Sequence, residues 1–371
     1  MKWEELSQRV KELYGEDFDT DGKSREELSQ LIAQKHLTEE TLPQIHPMCG
    51  YDGTMEMSQR GDEFWEEVEG RFYAEPKLDE VRCLVFFIGG RVRLQSRGRH
   101  KHTQLYHEMT ENFPQFQKLY KPELEGLILD GGLVAGIDRT RKRNIWKGND
   151  LLLAMRYVSS SPEKSQALQK EFGEPELILW DIISLPKRLK CPVMGYGMGM
   201  APIEARRRNL EFVAKRLGLR VVPQWRKNLK HFYERVVATG GEGVMLKKKR
   251  SRYHFRRSSD WIKVKRYEDV IGYVHSKKSD GKGAWKGLVG SINIADEDGN
   301  IIGGVGNMEL EIRKKISLPD GSLNPAVIGK KVLIRYYMKN QESGNPRHCR
   351  LIAWLDDFES DVEETVKEEK K

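Results

Sequence analysis

Glu75-Pro76-Lys77-Leu78-Asp79-Glu80-Val81-Arg82 leads into an apolar run, Cys83 to Ile88, that reads as a β-strand. It places a lysine two residues before an aspartate and five before an arginine. A protonated lysine is a poor nucleophile. It becomes a good one where a pocket lowers its pKa, or where a bound metal and neighbouring cations disfavour the ammonium. Attack on phosphorus then needs further cations to hold a triphosphate, and Lys247, Lys263 and Lys265 stand downstream. Taken alone, the stretch also fits an exposed Lys-Asp pair on a strand, so its reading depends on whether partner motifs occur downstream in order.

The 371 residues suffice for two domains or a little more, and a 38% share of hydrophobic residues is that of a globular protein. No run approaches the roughly 18 apolar residues of a membrane span. Met1-Lys2-Trp3-Glu4-Glu5 lacks a signal-peptide core. Cys49, Cys83, Cys191 and Cys349 are scattered, with no pair at metal-ligand spacing. That argues against a zinc finger and a disulfide framework and for a reducing, intracellular compartment. The net charge of +8 conceals an asymmetry: residues 1–70 carry 7 Lys/Arg and 18 Asp/Glu, and residues 356–371 carry 3 and 8. The body between them is therefore +24. A basic body of that size points to a polyanionic partner, because neutralised phosphates release counterions.

Residues 1–47 read as short amphipathic helices, with Ser24-Arg25-Glu26-Glu27 as a capping box and Leu28, Leu31 and Ile32 as an apolar stripe. From about 71 to 266 strand-like runs (Val81–Ile88, Leu127–Val134, Leu177–Ile183, Gly243–Lys247) alternate with helical ones (Tyr106–Phe113, Pro202–Leu217, Leu229–Thr239). From about 268 to 355 short β-rich runs take over: Val270–Ser276, Leu288–Ile294, Val332–Tyr337 and Cys349–Leu355. With a helix over Met308–Ile316, they fit a small β-barrel of the OB type. The charged, apolar-poor tail reads as disordered.

Further motifs come after Lys77 in order. Leu94-Gln95-Ser96-Arg97-Gly98-Arg99 offers Arg97, whose guanidinium suits a bidentate phosphate clamp; it also fits a surface turn. Leu127-Ile128-Leu129-Asp130-Gly131-Gly132-Leu133-Val134 is a strand-like run. Leu177-Ile178-Leu179-Trp180-Asp181 puts a tryptophan in a strand, where it either stacks on a ligand or fills the core. Gly240-Gly241-Glu242-Gly243-Val244-Met245-Leu246-Lys247 flanks a carboxylate with glycines that permit close backbone approach. In Trp261-Ile262-Lys263-Val264-Lys265, alternation puts both lysines on one strand face.

Together these motifs resemble the covalent nucleotidyltransferases, and within them the compact ATP-dependent DNA ligases of phage and bacterial type. The likeness covers roughly residues 46–357. It implies an α+β chain: a mixed α/β, ATP-grasp-like adenylation domain of antiparallel sheets and helices over 48–267, then an OB-fold barrel over 268–357. Residues 1–47 would be an accessory helical region and 358–371 a disordered tail. It implies Lys77 as the residue that takes AMP from ATP, with Lys263 and Lys265 aiding the transfer. Glu75 would contact the adenine, Arg82 the ribose or the nick, Trp180 the adenine face, and Arg97, Lys247 and Arg347 the phosphates. Glu242 and Asp79 would hold Mg²⁺ or Mn²⁺. The partner implied is nicked double-stranded DNA, engaged by a monomeric intracellular enzyme in replication, repair or recombination, with no membrane.

Two departures stand out. The family pattern is Lys-x-Asp-Gly-x-Arg, and Glu80 stands at its glycine; the family's Leu-Asp-Gly-Glu-Leu strand has Gly132 at its glutamate. Alternatives are an RNA ligase, an mRNA-capping guanylyltransferase, or a ligase-derived nucleic-acid-binding protein with reduced catalysis. Two basic runs have no catalytic role, Arg139-Thr140-Arg141-Lys142-Arg143 and Arg250 to Arg257. Between 247 and 287 there are 14 Lys/Arg against 4 Asp/Glu, a density that favours a DNA backbone.

Overall fold

The computed structural model describes residues 2–38, 40–136, 146, 150–185, 199–336, 338–339, 346–347 and 349–356. The basic run 139–143, Cys191 and the tail 358–371 lie outside them, as does the side chain of Arg347. The chain divides into two compact units, Met1–Val264 and Lys265–Lys371.

The first unit opens with α1 (Trp3–Tyr14) and α2 (Arg25–His36). Ser24 caps α2 as its sequence predicts: its Oγ accepts from Glu27 N at 3.2 Å, and Glu27 Oε2 accepts from Ser24 N at 2.6 Å. Leu6, Val10, Leu28 and Ile32 close a small core between the two helices. Ser29 Oγ donates to Gln104 Oε1 at 3.0 Å and ties the pair to the rest of the unit. After β1 (Cys49–Asp52) come α3 (Thr54–Arg60), α4 (Asp62–Val68), β2 (Phe72–Pro76), β3 (Val81–Ile88), β4 (Arg91–Arg99), β5 (Tyr106–Glu108) and β6 (Leu127–Val134). Then come α5 (Leu151–Ser159), α6 (Pro162–Phe172), β7 (Glu176–Ser184), α7 (Ile203–Leu217), β8 (Arg220–Val221), α8 (Leu229–Ala238), β9 (Gly243–Lys248) and β10 (Arg257–Lys265).

These strands form a six-stranded sheet, ordered β5-β4-β3-β6-β7-β8, and a four-stranded one, ordered β1-β10-β9-β2. The continuous apolar run of β3 reflects burial on both faces. Cys83, Val85 and Phe87 join a core with Tyr157 of α5 and Leu210 and Val213 of α7. Leu84 and Phe86 point the other way, into a second core with Met48, Tyr253 and Trp261 of the β10 strand. Burying each such side chain contributes roughly 1.5–3 kcal/mol. The two sheets therefore pack through Trp261, and the chain passes from one to the other between β2 and β3, at residues 77–80.

One expected helix is absent. Tyr106–Phe113 forms β5 and a single 3₁₀ turn, Thr110–Asn112. The sheet edge outcompetes helical propensity there: Met109 N donates to Leu94 O at 2.9 Å, Leu94 N donates to Thr110 Oγ1 at 3.0 Å, and Pro114 comes next.

The second unit holds β11 (Glu268–Asp280), β12 (Val289–Ala295), β13 (Ile301–Val305), α9 (Leu310–Ile316), β14 (Lys331–Tyr336), β15 (Met338–Lys339), β16 (Pro346–Arg347) and β17 (Arg350–Trp354). Five of them make an antiparallel sheet ordered β13-β12-β11-β14-β17, and β15 pairs with β16. Val274, Ile292, Ile294, Val332 and Ile334 form its core with Ile316 of α9. Arg313 pins that helix, donating at 2.7 Å to the carbonyls of Val289 and Gly290 and at 2.6 Å to that of Gly306. No helix among the described residues is long and apolar enough to cross a membrane.

Candidate active site

Lys77 lies in the crossover between the two sheets. Pairing of β2 with β9 ends at Pro76 opposite Val244, and Lys77 N then donates to Gly243 O at 2.9 Å. That register sets Glu242 beside the lysine, and the two side chains form an ion pair. Lys77 keeps 20% of its side chain exposed and Glu242 only 5%. Burial works against the ammonium. The charge and hydrogen bond of Glu242, with the charges of Glu80 and Asp79 behind it, outweigh burial and hold Lys77 above the usual lysine range. In this state Lys77 is an ammonium, so nucleophilic use requires that its carboxylates be neutralised first.

A second group of side chains surrounds Arg82. Its Nε donates to Asp130 Oδ1 at 2.6 Å, its Nη2 donates to Asp130 Oδ2, and Nη2 also reaches Met48 O at 3.1 Å. Asp130 accepts a further bond from Tyr253 Oη at 2.7 Å, and that hydroxyl accepts from Met48 N at 3.0 Å. The guanidinium lies 4.9 Å from the Trp180 ring centre and 5.7 Å from that of Trp261. Burial disfavours the Arg82 cation, but Asp130 overcomes this and raises its pKa. Beneath it, Lys247 is buried: its Nζ pairs with Glu75 Oε2 at 2.7 Å, donates to Trp180 O at 2.9 Å and lies 4.4 Å from the Trp261 ring centre. Glu75 also accepts from Gln224 Nε2 at 3.1 Å and Arg207 Nη1 at 3.3 Å. Next to Trp180, Asp181 takes a buried bidentate pair from Arg206 at 2.8 and 3.0 Å, which fixes α7 on β7.

The structure thus gathers Lys77, Glu242, Glu75, Lys247, Arg82 and Trp180, with Trp261 between them. Lys263 lies on the same face of β10 as Trp261, half-buried. Lys265 ends that strand and is the first residue of the second unit. Arg97 is exposed on β4 and makes no ion pair among the described residues. Arg347 lies on β16, its side chain outside the described residues.

Glu80 takes an unexpected place. β3 pairs with β6 so that Arg82 faces Gly132. A Cβ on Gly132 would lie 2.8 Å from Glu80 Oε2 and 2.9 Å from its Cβ and Cγ. Burial pushes the Glu80 carboxyl up to about 7, against the pull of Lys77 and Arg82. Its Oε2 is buried with no hydrogen-bond partner.

Sequence reasoning missed Asp130, Tyr253, Gln224, Arg206 and Arg207. A signal for Asp130 was present, since a lone aspartate in an eight-residue apolar strand is a buried charge that demands a partner. Among the described residues no three His, Cys, Asp or Glu side chains come together to hold a metal. Single carboxylate oxygens on Glu242 and Asp79 fit a cation that shares its coordination with substrate phosphates, the usual manner of Mg²⁺. A cleft of about 960 Å³ lined by Arg91, Arg93, His107 and Glu108 holds none of the motif residues.

Residues 56–265 match the family model described as the ATP dependent DNA ligase domain. No curated protein matches the chain. Among solved structures, one described as "DNA binding with a minimal scaffold: Structure-function analysis of Lig E DNA ligases" is 20% identical, with a TM-score of 0.51, over 77% of this chain and 93% of that one. Another, named Pmar-Lig_Pre, is 18% identical with a TM-score of 0.61, over 90% of this chain and 72% of that one. At such identities the likeness is one of fold.

Proposed function

This chain belongs to the ATP-dependent DNA ligase domain family and is a DNA ligase that seals nicks with ATP; from that premise we propose that Lys77 is the residue that carries the AMP. The Lys77–Glu242 ion pair at the crossover between the sheets carries this reading, because it sets an amine of adjustable charge at the meeting point of the motifs. Lys77 Nζ, once deprotonated, forms a bond to the α-phosphorus as the bond to the pyrophosphate oxygen breaks. AMP then passes to the 5′-phosphate at the nick, and the 3′-hydroxyl displaces it. Glu242 and Asp79 would hold Mg²⁺ or Mn²⁺, which when bound neutralises charge on the phosphates. The Glu242 carboxylate holds Lys77 above the usual lysine range, so a cation that neutralises Glu242 would favour the free amine.

The remaining residues take supporting roles. Glu75 and Trp180 bind the adenine, Lys247, Lys263, Lys265, Arg97 and Arg347 serve the phosphates, and Arg82 contacts the ribose or the nick. Adenylation occupies 48–267, and 268–357 is an OB-type barrel, a reading supported by the β13-β12-β11-β14-β17 strand order with α9 between β13 and β14. The substrate is nicked duplex DNA, bound by an intracellular monomer through the basic body of the chain, so affinity falls with salt on a log-log slope of roughly several units. Incubation with ATP and Mg²⁺ followed by mass spectrometry should find AMP on the peptide containing Lys77. An adduct that persists in Lys77→Ala would refute the assignment.

A further inference from the structure

We propose that Glu80 is a nucleotide-facing acceptor of the Lys77 site, standing in the space that a side chain at position 132 would otherwise fill. The inference rests on Lys77 being the adenylylated residue. Its first support is steric. The β3–β6 register brings the two positions together, and a Cβ on Gly132 would meet Glu80 Oε2 at 2.8 Å and Glu80 Cβ and Cγ at 2.9 Å. Cβ and Cγ lie close to the backbone and cannot swing clear as the tip of a long side chain does. Position 132 therefore takes a side chain only if Glu80 shifts.

The second support is the state of the carboxylate. Its Oε2 is buried and has no hydrogen-bond partner. Nearby acceptors of the same kind are engaged: Asp130 by Arg82 and Tyr253, Glu242 by Lys77. The groups whose charge reaches Glu80 are Lys77 and Arg82 from its own segment, Glu242 from the approach to β9 and Asp130 from β6. A buried acceptor without a donor, beside the reactive amine, is completed by something brought to the site. The matching chemistry is a hydrogen-bond donor or a cation carried by the nucleotide: a ribose hydroxyl or the divalent ion on its phosphates.

Glu80→Gln separates this role from simple filling, since it keeps the volume and removes the charge. We expect it to fold with an unchanged melting temperature. Calorimetry with a non-hydrolysable ATP analogue and Mg²⁺ should show affinity weakened about tenfold, and AMP transfer to Lys77 slowed by a similar factor. If the ribose hydroxyl is the donor, the loss shrinks when 2′-deoxy-ATP replaces ATP. If the cation is, the loss stays and more Mg²⁺ is required. Gly132→Ala should slow adenylylation beside Glu80 and have little further effect in a Glu80→Gly background. Wild-type affinity and rate in both Glu80→Gln and Glu80→Met, which has no acceptor oxygen, would overturn the acceptor role, and additive effects of Gly132→Ala and Glu80→Gly would overturn the shared space. An adduct surviving Lys77→Ala refutes the Lys77 assignment instead, and is read separately.

Discussion

Arg82 and Glu80 are two residues apart, yet they belong to regions with opposite character. Around Arg82 the described polar partners interlock: Asp130 receives both ends of the guanidinium and the Tyr253 hydroxyl, and that hydroxyl receives Met48 N. Around Lys77 the set is incomplete: the amine is partly exposed, Glu242 holds it, and Glu80 keeps an oxygen unmatched. Folding alone pairs the Arg82 guanidinium and the Tyr253 hydroxyl with Asp130, while the indole N–H groups of Trp180 and Trp261 beside them stay unpartnered among the described residues. The second, in the proposal made above for Glu80, is completed by a donor or cation that the nucleotide brings. A network that is satisfied by the chain itself fixes geometry, whereas an unsatisfied one next to it marks where chemistry enters.

The contrast is broken most severely at Asp130. Asp130→Ala leaves the Arg82 cation buried and unpaired, and should cost about 3–5 kcal/mol in urea unfolding; a loss below about 1 kcal/mol would mean that the Arg82 network is not the frame. Glu242→Gln acts on the open side. It should slow AMP transfer about 10²-fold, equivalent to about 2.7 kcal/mol of barrier, while destabilising the fold less than Asp130→Ala does. Equal losses of stability in the two variants would erase the distinction. Tyr253→Phe sharpens it: removal of one hydroxyl leaves Met48 N without its acceptor, and unfolding should register about 1–2 kcal/mol. The smallest effect belongs to Ser29→Ala, which severs the Gln104 link of the N-terminal helices. It should cost about 1 kcal/mol and leave the rate of AMP transfer at its wild-type value.

Much of the backbone was legible in the sequence because periodicity reports burial. Val81–Ile88 and Leu127–Val134 are strands over those same residues, and Pro202–Leu217 anticipates α7 to within one residue. Tyr106–Phe113 misled because its apolar spacing serves a sheet edge, and pairing with β4 depends on how the preceding chain turns back rather than on the segment's own spacing. The candidate site was legible as a set of residue types and not as a set of partners. The Lys-x-Asp motif draws attention to Lys77, but nothing local says that Glu242 will hold it or that Glu75 will face Lys247. Gly132 was legible only as a missing carboxylate. That its emptiness is filled by Glu80 depends on the register of β3 against β6, which side-chain chemistry along one segment does not encode.

The tight approach of position 132 to Glu80 also orders the routes by which this sequence could change. A side chain added at 132 first would meet Glu80 atoms at 2.8–2.9 Å and force Glu80 to shift. The less strained order shrinks position 80 before position 132 grows, and that order runs through a form that has neither carboxylate. Such a path has a trough at its middle: random single substitutions, in a laboratory library as in a lineage, lose function from either side. A screen for improved variants should therefore randomise both positions at once, since one-at-a-time scanning would find only losses at each.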